Sequence, residues 1–246
     1  VERFQSRNEK DQPGGYAGVG DDGLIPPALY VSSSGTAVND RRWVRGSTAH
    51  AQDDEFNDDS LDGAWTRVDK SGGSGRATWA EGGDSLSLVL AGGDSAAEMH
   101  GLVKSYALAV GESIQCHITW SGPQSTYPFA GLVVADGATH GSGIQMFWSL
   151  WNAGGDLNAQ DGYWTGWDTR SAFTDRNTDT SWGPGLHMRM LRDTSNVWRF
   201  YVSSDAVQWL EIASRTQAMT PSHVGFAGGT WTGSQYMFSF DYFRVV

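Results

Sequence analysis

Five of the chain's 12 tryptophans fall within residues 147–182: Trp148, Trp151, Trp164, Trp167 and Trp182. Asp156, Asp161, Asp168, Arg170, Asp175, Arg176 and Asp179 lie among them. Flat rings can stack on the C–H face of a sugar, and carboxylates and guanidiniums can hydrogen-bond its hydroxyls. The same residues would equally suit the core of a β-sandwich with polar loops. Side-chain alternation along a strand sorts some of them. Ile144, Met146, Trp148 and Leu150 share one face; Gln145, Phe147, Ser149 and Trp151 share the other. The first set reads as core. A solvated aromatic pair, Phe147 and Trp151, would then need a contact to explain it. The candidates for sugar contact are therefore Phe147, Trp151, Asp161, Trp164, Trp167, Asp168 and Arg170. Trp164 and Trp167 point to opposite faces if extended, so at most one of the two is expected to be free.

Other chemistries find less support. The six histidines are dispersed without zinc-ligand spacing. No G-x-S-x-G nucleophile elbow occurs, and Gly73-Ser74-Gly75 and Gly141-Ser142-Gly143 read as turns. Asp53, Glu55, Asn57 and Asp59 alternate, but lack the glycine and terminal glutamate of an EF-hand loop. The run from Val202 to Trp209 resembles a single Asp-box hairpin with Ala206 in place of the glycine. A propeller would repeat it, and no repeat is visible.

Composition narrows the class. Six of the 17 basic and six of the 28 acidic residues lie in residues 1–52, leaving 11 and 22 in residues 53–246. The body therefore carries the whole net charge of −11, which repels nucleic acid and anionic membrane surfaces. Neither is expected as a partner. No apolar run is long enough to span a membrane. Residues 1–10 show no signal-peptide core, so the expectation is a chain not exported by the general route or one already processed. A single cysteine, Cys116, allows no intrachain disulfide, and its apolar alternation predicts a buried, inert thiol.

These side chains need a framework, and the spacing predicts strands. Leu86, Leu88 and Leu90 alternate with polar neighbours, as do Ile114, Cys116, Ile118 and Trp120. Residues 129–135 are almost continuously apolar, predicting a strand buried on both faces. Leu186, Met188 and Met190, then Trp198, Phe200 and Val202, predict two more, and residues 223–227 and 235–246 finish the chain. Gln115, His117, His187, Arg189, Arg199 and Tyr201 fall on the opposite, polar parity and are expected to line the same sheet as Phe147 and Trp151. Residues 152–182 read as a long decorated loop. Thirty-two glycines mark tight turns, and no long helix is expected. The reading is an all-β sandwich or jelly roll over residues 53–246, preceded by an extended arm over residues 1–52.

The arm carries a resemblance. Its run GGYAGVGDDGLIPPALY, residues 14–30, resembles a segment of bacteriophage tail-fibre and virion appendage proteins. Pro27 and Tyr30 depart from that pattern. The resemblance implies an assembly arm, through Tyr16, Leu24, Ile25, Pro26, Leu29 and Tyr30, that joins other virion proteins and sister chains. It also implies a homo-oligomer, with a trimer favoured, located in the virion and assembled in the host cytoplasm.

The body resembles the concanavalin A-like lectin/glucanase superfamily, in its laminin-G-like branches. The residues that carry this are DDEFNDDSLDGAWTRVD at the opening, AGLVVADG in the middle, LHMRMLRDTSNVWRFYVSSDAVQWLEI, and VGFAGGTWTGSQYMFSFDYFRVV at the close. The resemblance implies a jelly roll whose opening and closing segments are neighbours. It allows calcium, with oxygen ligands drawn from Asp136, Asp156, Asp161, Asp168 and Asp241, though no cofactor is otherwise expected. Retaining glucanases of this superfamily place two carboxylates about 5–5.5 Å apart, usually through Glu-x-Asp-x-(x-)Glu. No such triplet is present. The expectation is therefore a non-enzymatic virion protein (tail fibre, minor tail or capsid-decorating fibre) displaying a lectin-like module to a host-surface glycan. The alternative is a secreted bacterial carbohydrate-binding module or a glycan-acting enzyme of the glucanase superfamily.

Overall fold

Alternation of apolar and polar side chains fits a sheet with one face buried, and two such faces bury each other. The computed structural model describes residues 50–68, 76–91, 98–121, 128–137, 143–151, 157–176, 185–230 and 235–246. The chain divides into residues 1–49 and His50–Val246. The assembly-arm residues Tyr16, Leu24, Ile25, Pro26, Leu29 and Tyr30 lie outside the described residues.

The described residues hold fourteen strands and no helix: β1 (Thr66–Val68), β2 (Ala77–Glu81), β3 (Leu86–Leu90), β4 (His100–Ser105), β5 (Ser113–Ser121), β6 (Pro128–Ala135), β7 (Ile144–Trp151), β8 (Leu157–Gly166), β9 (Thr169–Arg176), β10 (Gly185–Arg192), β11 (Val197–Ser203), β12 (Leu210–Thr216), β13 (His223–Thr230) and β14 (Tyr236–Val245). They form two seven-stranded sheets. The first runs β1-β4-β13-β6-β7-β8-β9, the second β12-β11-β10-β5-β14-β3-β2. Every strand pairing among the described residues is antiparallel, and the chain crosses repeatedly between the sheets. This is a jelly-roll sandwich, as the alternation predicted.

The main core lies between the sheets. Leu102, Ala130, Leu132, Val134, Phe147 and Phe226 face Leu86, Leu88, Ile118, Met188, Phe200 and Phe240. Cys116 is buried there too, and burial pushes its thiol well above the usual range. The opening and closing segments lie together. Asp54 and Phe243 exchange backbone hydrogen bonds of 2.8 and 2.7 Å. Glu55 accepts two from Arg244, and Asp53 Oδ1 accepts from Val245 N at 2.9 Å.

A second core sits on the other face of the first sheet. Val103, Phe129, Val133, Ile144, Met146, Trp148, Trp164 and Trp167 make it. The sheet curls over this cluster: the β8–β9 turn reaches β4, where Met99 N donates to Trp167 O at 2.9 Å. Gly101 makes the approach feasible, since a Cβ there would lie 2.6 Å from the Trp167 ring.

Residues 152–182 were expected as a loop, yet residues 157–176 form the β8–β9 hairpin. The signal is masked because β8 buries a carboxylate, Asp161, where alternation expects an apolar residue, and opposite faces of one strand carry Ala159 and Trp164.

Candidate functional site

The seven residues predicted to meet a sugar do not converge on one surface. Phe147 is fully buried between the sheets and packs on Phe200 at 5.2 Å between ring centroids. It is Trp148 that belongs to the other face, with Ile144 and Met146. Both faces of β7 are buried, so parity could not say which set met solvent. Trp164 and Trp167 are 1% and 2% exposed, and neither ring is open to a sugar. Trp164 packs edge-on against Trp148 at 5.1 Å. Asp161 is 0% exposed and crosses the sandwich to β12, where Arg215 Nε donates to its Oδ2 at 2.6 Å. Asp168 is exposed in the β8–β9 turn and accepts from Thr169 Oγ1 at 3.0 Å. Arg170 is half-buried in β9, in register with Trp164. Trp151 pairs with Leu157 in the β7–β8 ladder; its side chain lies outside the described residues.

The acidic residues offered for calcium are also apart. Asp161 faces Arg215 inside the sandwich, Asp168 is in a turn, and Asp241 pairs with His117 on the second sheet. Asp136 caps Gly143 N at 3.0 Å, and Asp156 lies outside the described residues. These four do not form a shared set of oxygen ligands, and among the described residues no group of three His, Cys, Asp or Glu is placed to hold a metal.

What the structure does assemble is a polar band on the outer face of the second sheet. Cross-strand register builds it from two rows. In the first, Tyr201 of β11 faces Arg189 of β10, Arg189 faces Gln115 of β5, and Gln115 faces Arg244 of β14. In the second, His187 of β10 faces His117 of β5, with ring centroids 4.3 Å apart. The expected polar parity of these residues holds, but on the sheet opposite β7, not on the one that carries Phe147.

A bulge in β14 completes the second row. Phe240 pairs with Ile118 and Phe243 with Cys116, so Asp241 and Tyr242 both stand opposite His117. An extra residue re-aims its neighbours. Asp241 Oδ2 lies 2.6 Å from His117 Nδ1, and Tyr242 OH lies 2.8 Å from His187 Nδ1. A carboxylate on one ring nitrogen fixes the imidazole's orientation. His117 is thereby held in place, and its side chain is 17% exposed. Its Nε2 lies over Gly185, whose Cβ would come within 2.5 Å of it. The sequence signal for the bulge was present: Phe240 and Phe243, both apolar, are three apart rather than two.

Charges in the band are mostly paired. Arg244 holds Glu55 at 2.9 and 3.0 Å and lies 4.2 Å over the Tyr242 ring. Arg199 holds Asp193 at 2.8 Å and Glu211 at 2.9 Å. Arg189 differs. Its Nε donates to Ser113 Oγ at 2.9 Å, and its guanidinium lies 5.6 and 6.0 Å from the Tyr201 and Trp209 ring centroids. Burial lowers its pKa, with the Tyr201 hydroxyl opposing the shift. Burial first, then Glu211, raises that of Tyr201.

No protein-family model matches the chain, and no curated protein does either. Solved structures do. A glycoside hydrolase family 43 protein from Bacillus licheniformis matches with a TM-score of 0.59 at 16% identity, covering 79% of this chain and 39% of that one. A family 16 endo-glucanase from Bacteroides ovatus matches with a TM-score of 0.51 at 11% identity, over 79% of this chain and 99% of that one. A β-1,3-glucanase from Mycobacterium marinum matches with a TM-score of 0.50 at 13% identity, over 81% and 100%. The chain thus spans 39% of the Bacillus protein's length. At these identities the likeness establishes the fold, a concanavalin A-like jelly roll of the lectin/glucanase kind.

One expectation falls with this finding. The missing Glu-x-Asp-x-Glu strand led to a non-enzymatic reading, yet the three structures just named, which share this fold, carry the names of glycoside hydrolases and glucanases. They remove the ground for the non-enzymatic reading, and they lend no support to a tail-fibre setting. Absence of one strand signature excluded one placement of carboxylates, not catalysis as such.

Proposed function

We propose that the chain is the glycan-engaging β-sandwich of a glycan-acting enzyme, and that the polar band of the second sheet is where the polysaccharide lies. The observation that carries this is the alignment of Tyr201, Arg189, Gln115 and Arg244 in one row, with His187, His117 and Asp241 beside them. Four strands at the usual spacing give a band about 14 Å across, enough for more than one sugar ring. Gln115, Arg189 and Arg244 offer donors to hydroxyls, Tyr201 and Trp209 offer ring faces, and His117 with Asp241 offers proton transfer. The similar structures, named as glycoside hydrolases, support a glycan as the ligand class. The described residues of the curled face offer less, because its rings are packed on each other.

The test is retention and product release on a panel of β-glucans, xylans and uronate-containing polysaccharides. Wild type is expected to be retarded in gels containing at least one polymer and to shorten it. Tyr201→Ala with Gln115→Ala should lose retardation while keeping its melting temperature. His117→Gln should stay bound but stop releasing product. A wild type that neither binds nor shortens any polymer, or a double variant retarded as strongly as wild type, would overturn the proposal.

The role of the arm is likewise proposed, on the residues 14–30 alone: it would join sister chains or other virion proteins and hold a trimer together. Sedimentation of the full chain against residues 50–246 tests it. A mass unchanged per chain would remove the arm from assembly.

A further inference from the structure

The distribution of acids around the band is uneven in a chain rich in them. The sequence has 28 acidic side chains against 17 basic ones. On this face they satisfy Arg244, through Glu55, and Arg199, through Asp193 and Glu211. Arg189, central in the first row, has none: among the described residues no carboxylate pairs with it, and its two Nη atoms have no hydrogen-bond partner. A partly desolvated guanidinium without an anion is costly, since its lost hydration is not replaced. The ring faces of Tyr201 and Trp209 recover part of that cost. The bond from Nε to Ser113 Oγ fixes the plane of the guanidinium and leaves the Nη edge for a ligand.

We infer that Arg189 reads a carboxylate on the glycan, so that the band selects a uronate-containing polysaccharide over a neutral one; this rests on the proposed function of the same band. The guanidinium fork matches two carboxylate oxygens in a plane. Tyr201 and Trp209 flank the fork, where the apolar face of the same sugar ring would lie. The acidic body does not forbid such a ligand. At physiological salt, charges beyond about 8 Å from the band are largely screened, and the guanidinium beside the ligand dominates.

Calorimetric titration of the full chain separates the possibilities. The probes are an oligogalacturonate and an oligomannuronate, their methyl-esterified forms, and neutral gluco- and xylo-oligosaccharides of equal length. An acidic oligosaccharide is expected to bind more tightly than its ester. Arg189→Gln should weaken it by about 10- to 100-fold, the loss of a charge-assisted hydrogen-bonded pair, and weaken the ester less, so that the advantage of the acid over its ester shrinks. Arg189→Lys should recover only part, because a point charge lacks the fork. Melting curves of both variants check folding. Neutral oligosaccharides binding as well as acidic ones, with Arg189→Gln no weaker, would overturn the inference and leave the proposed function standing. Binding of no oligosaccharide at all would overturn both. Acidic binding that is untouched by Arg189→Gln, yet lost in Tyr201→Ala with Gln115→Ala, would also overturn the reading of Arg189.

Discussion

Arg215 and Asp161 show how much one side chain can carry. Asp161 is 0% exposed, and Arg215 binds both its carboxylate, at 2.6 Å, and its backbone carbonyl, at 3.2 Å. The pair ties β8 of the first sheet to β12 of the second. Removing one member of a buried ion pair is far more damaging than replacing both. Arg215→Ala should therefore cost roughly 3–5 kcal/mol in denaturant unfolding, and Asp161→Leu with Arg215→Leu should cost much less. Glu81 is a different residue-scale device. Burial, then its side-chain hydrogen bond with Asp58 and the charges of Asp54 and Asp58, push it from 4.5 up to about 7, against the backbone hydrogen bond from Asp58. The folded state then binds more protons than the unfolded one between those values. Its stabilising contribution is full below about 4.5 and is lost as pH rises through about 7. Melting temperatures of wild type and Glu81→Gln, followed from pH 4 to 8, should diverge across that window, with wild type falling more steeply.

At the scale of elements, legibility followed periodicity. β3, β5, β6, β7, β10, β11, β13 and β14 were all visible, because each alternates or runs apolar between turn residues. β8 and β9 were not, since Asp161 breaks the pattern with a charge whose partner is 54 residues away. The site was half legible. Gln115, His117, His187, Arg189 and Tyr201 were seen to share a polar parity, but their grouping with Phe147 failed, because parity fixes faces within a strand and not which sheet that strand joins. The three-residue spacing of Phe240 and Phe243 marks the bulge, but that it sets Asp241 against His117 is a matter of register, which one sequence does not disclose. The hairpin after β11 is legible in another way. Asp205 Oδ1 accepts from Val207 N and Gln208 N at 2.7 and 2.8 Å, an Asx-type turn, and Ala206 sits at φ 57° where the related motif has glycine. A side chain in that region costs about 1–2 kcal/mol. Ala206→Gly should raise stability by about 0.5–1 kcal/mol after the extra unfolded-state entropy is subtracted, read as a higher denaturant midpoint. Gly225→Ala argues the opposite case. Its Cβ would meet the Leu102 carbonyl oxygen at 2.1 Å, backbone that cannot move without parting β13 from β4. That variant should be strongly destabilised or fail to fold, measured by circular dichroism.

For the whole molecule, the question is what closes the sandwich. Its two ends meet along β14, through the Asp54–Phe243 bridge, the Glu55–Arg244 pair and the Asp53–Val245 contact. Phe56, 1% exposed, then packs on Trp65 and Phe226, with ring centroids 5.9 and 6.0 Å apart. Lys104 donates to the Gln52 carbonyl and lies 4.4 Å over the Trp65 ring, where burial lowers its pKa to about 8. All of these contacts lie within His50–Val246. A chain beginning at His50 should therefore keep the full chain's cooperative unfolding and its affinity for glycan. A chain beginning at Asn57 loses the bridge, the ion pair and a buried phenylalanine together. Loss of such a ring alone costs about 3–5 kcal/mol, a large share of a domain's net stability. The seven residues 50–56 should thus matter more to folding than the 49 before them. Urea unfolding of the two truncations checks this: equal loss in both would place the sandwich's closure in residues 1–49 instead.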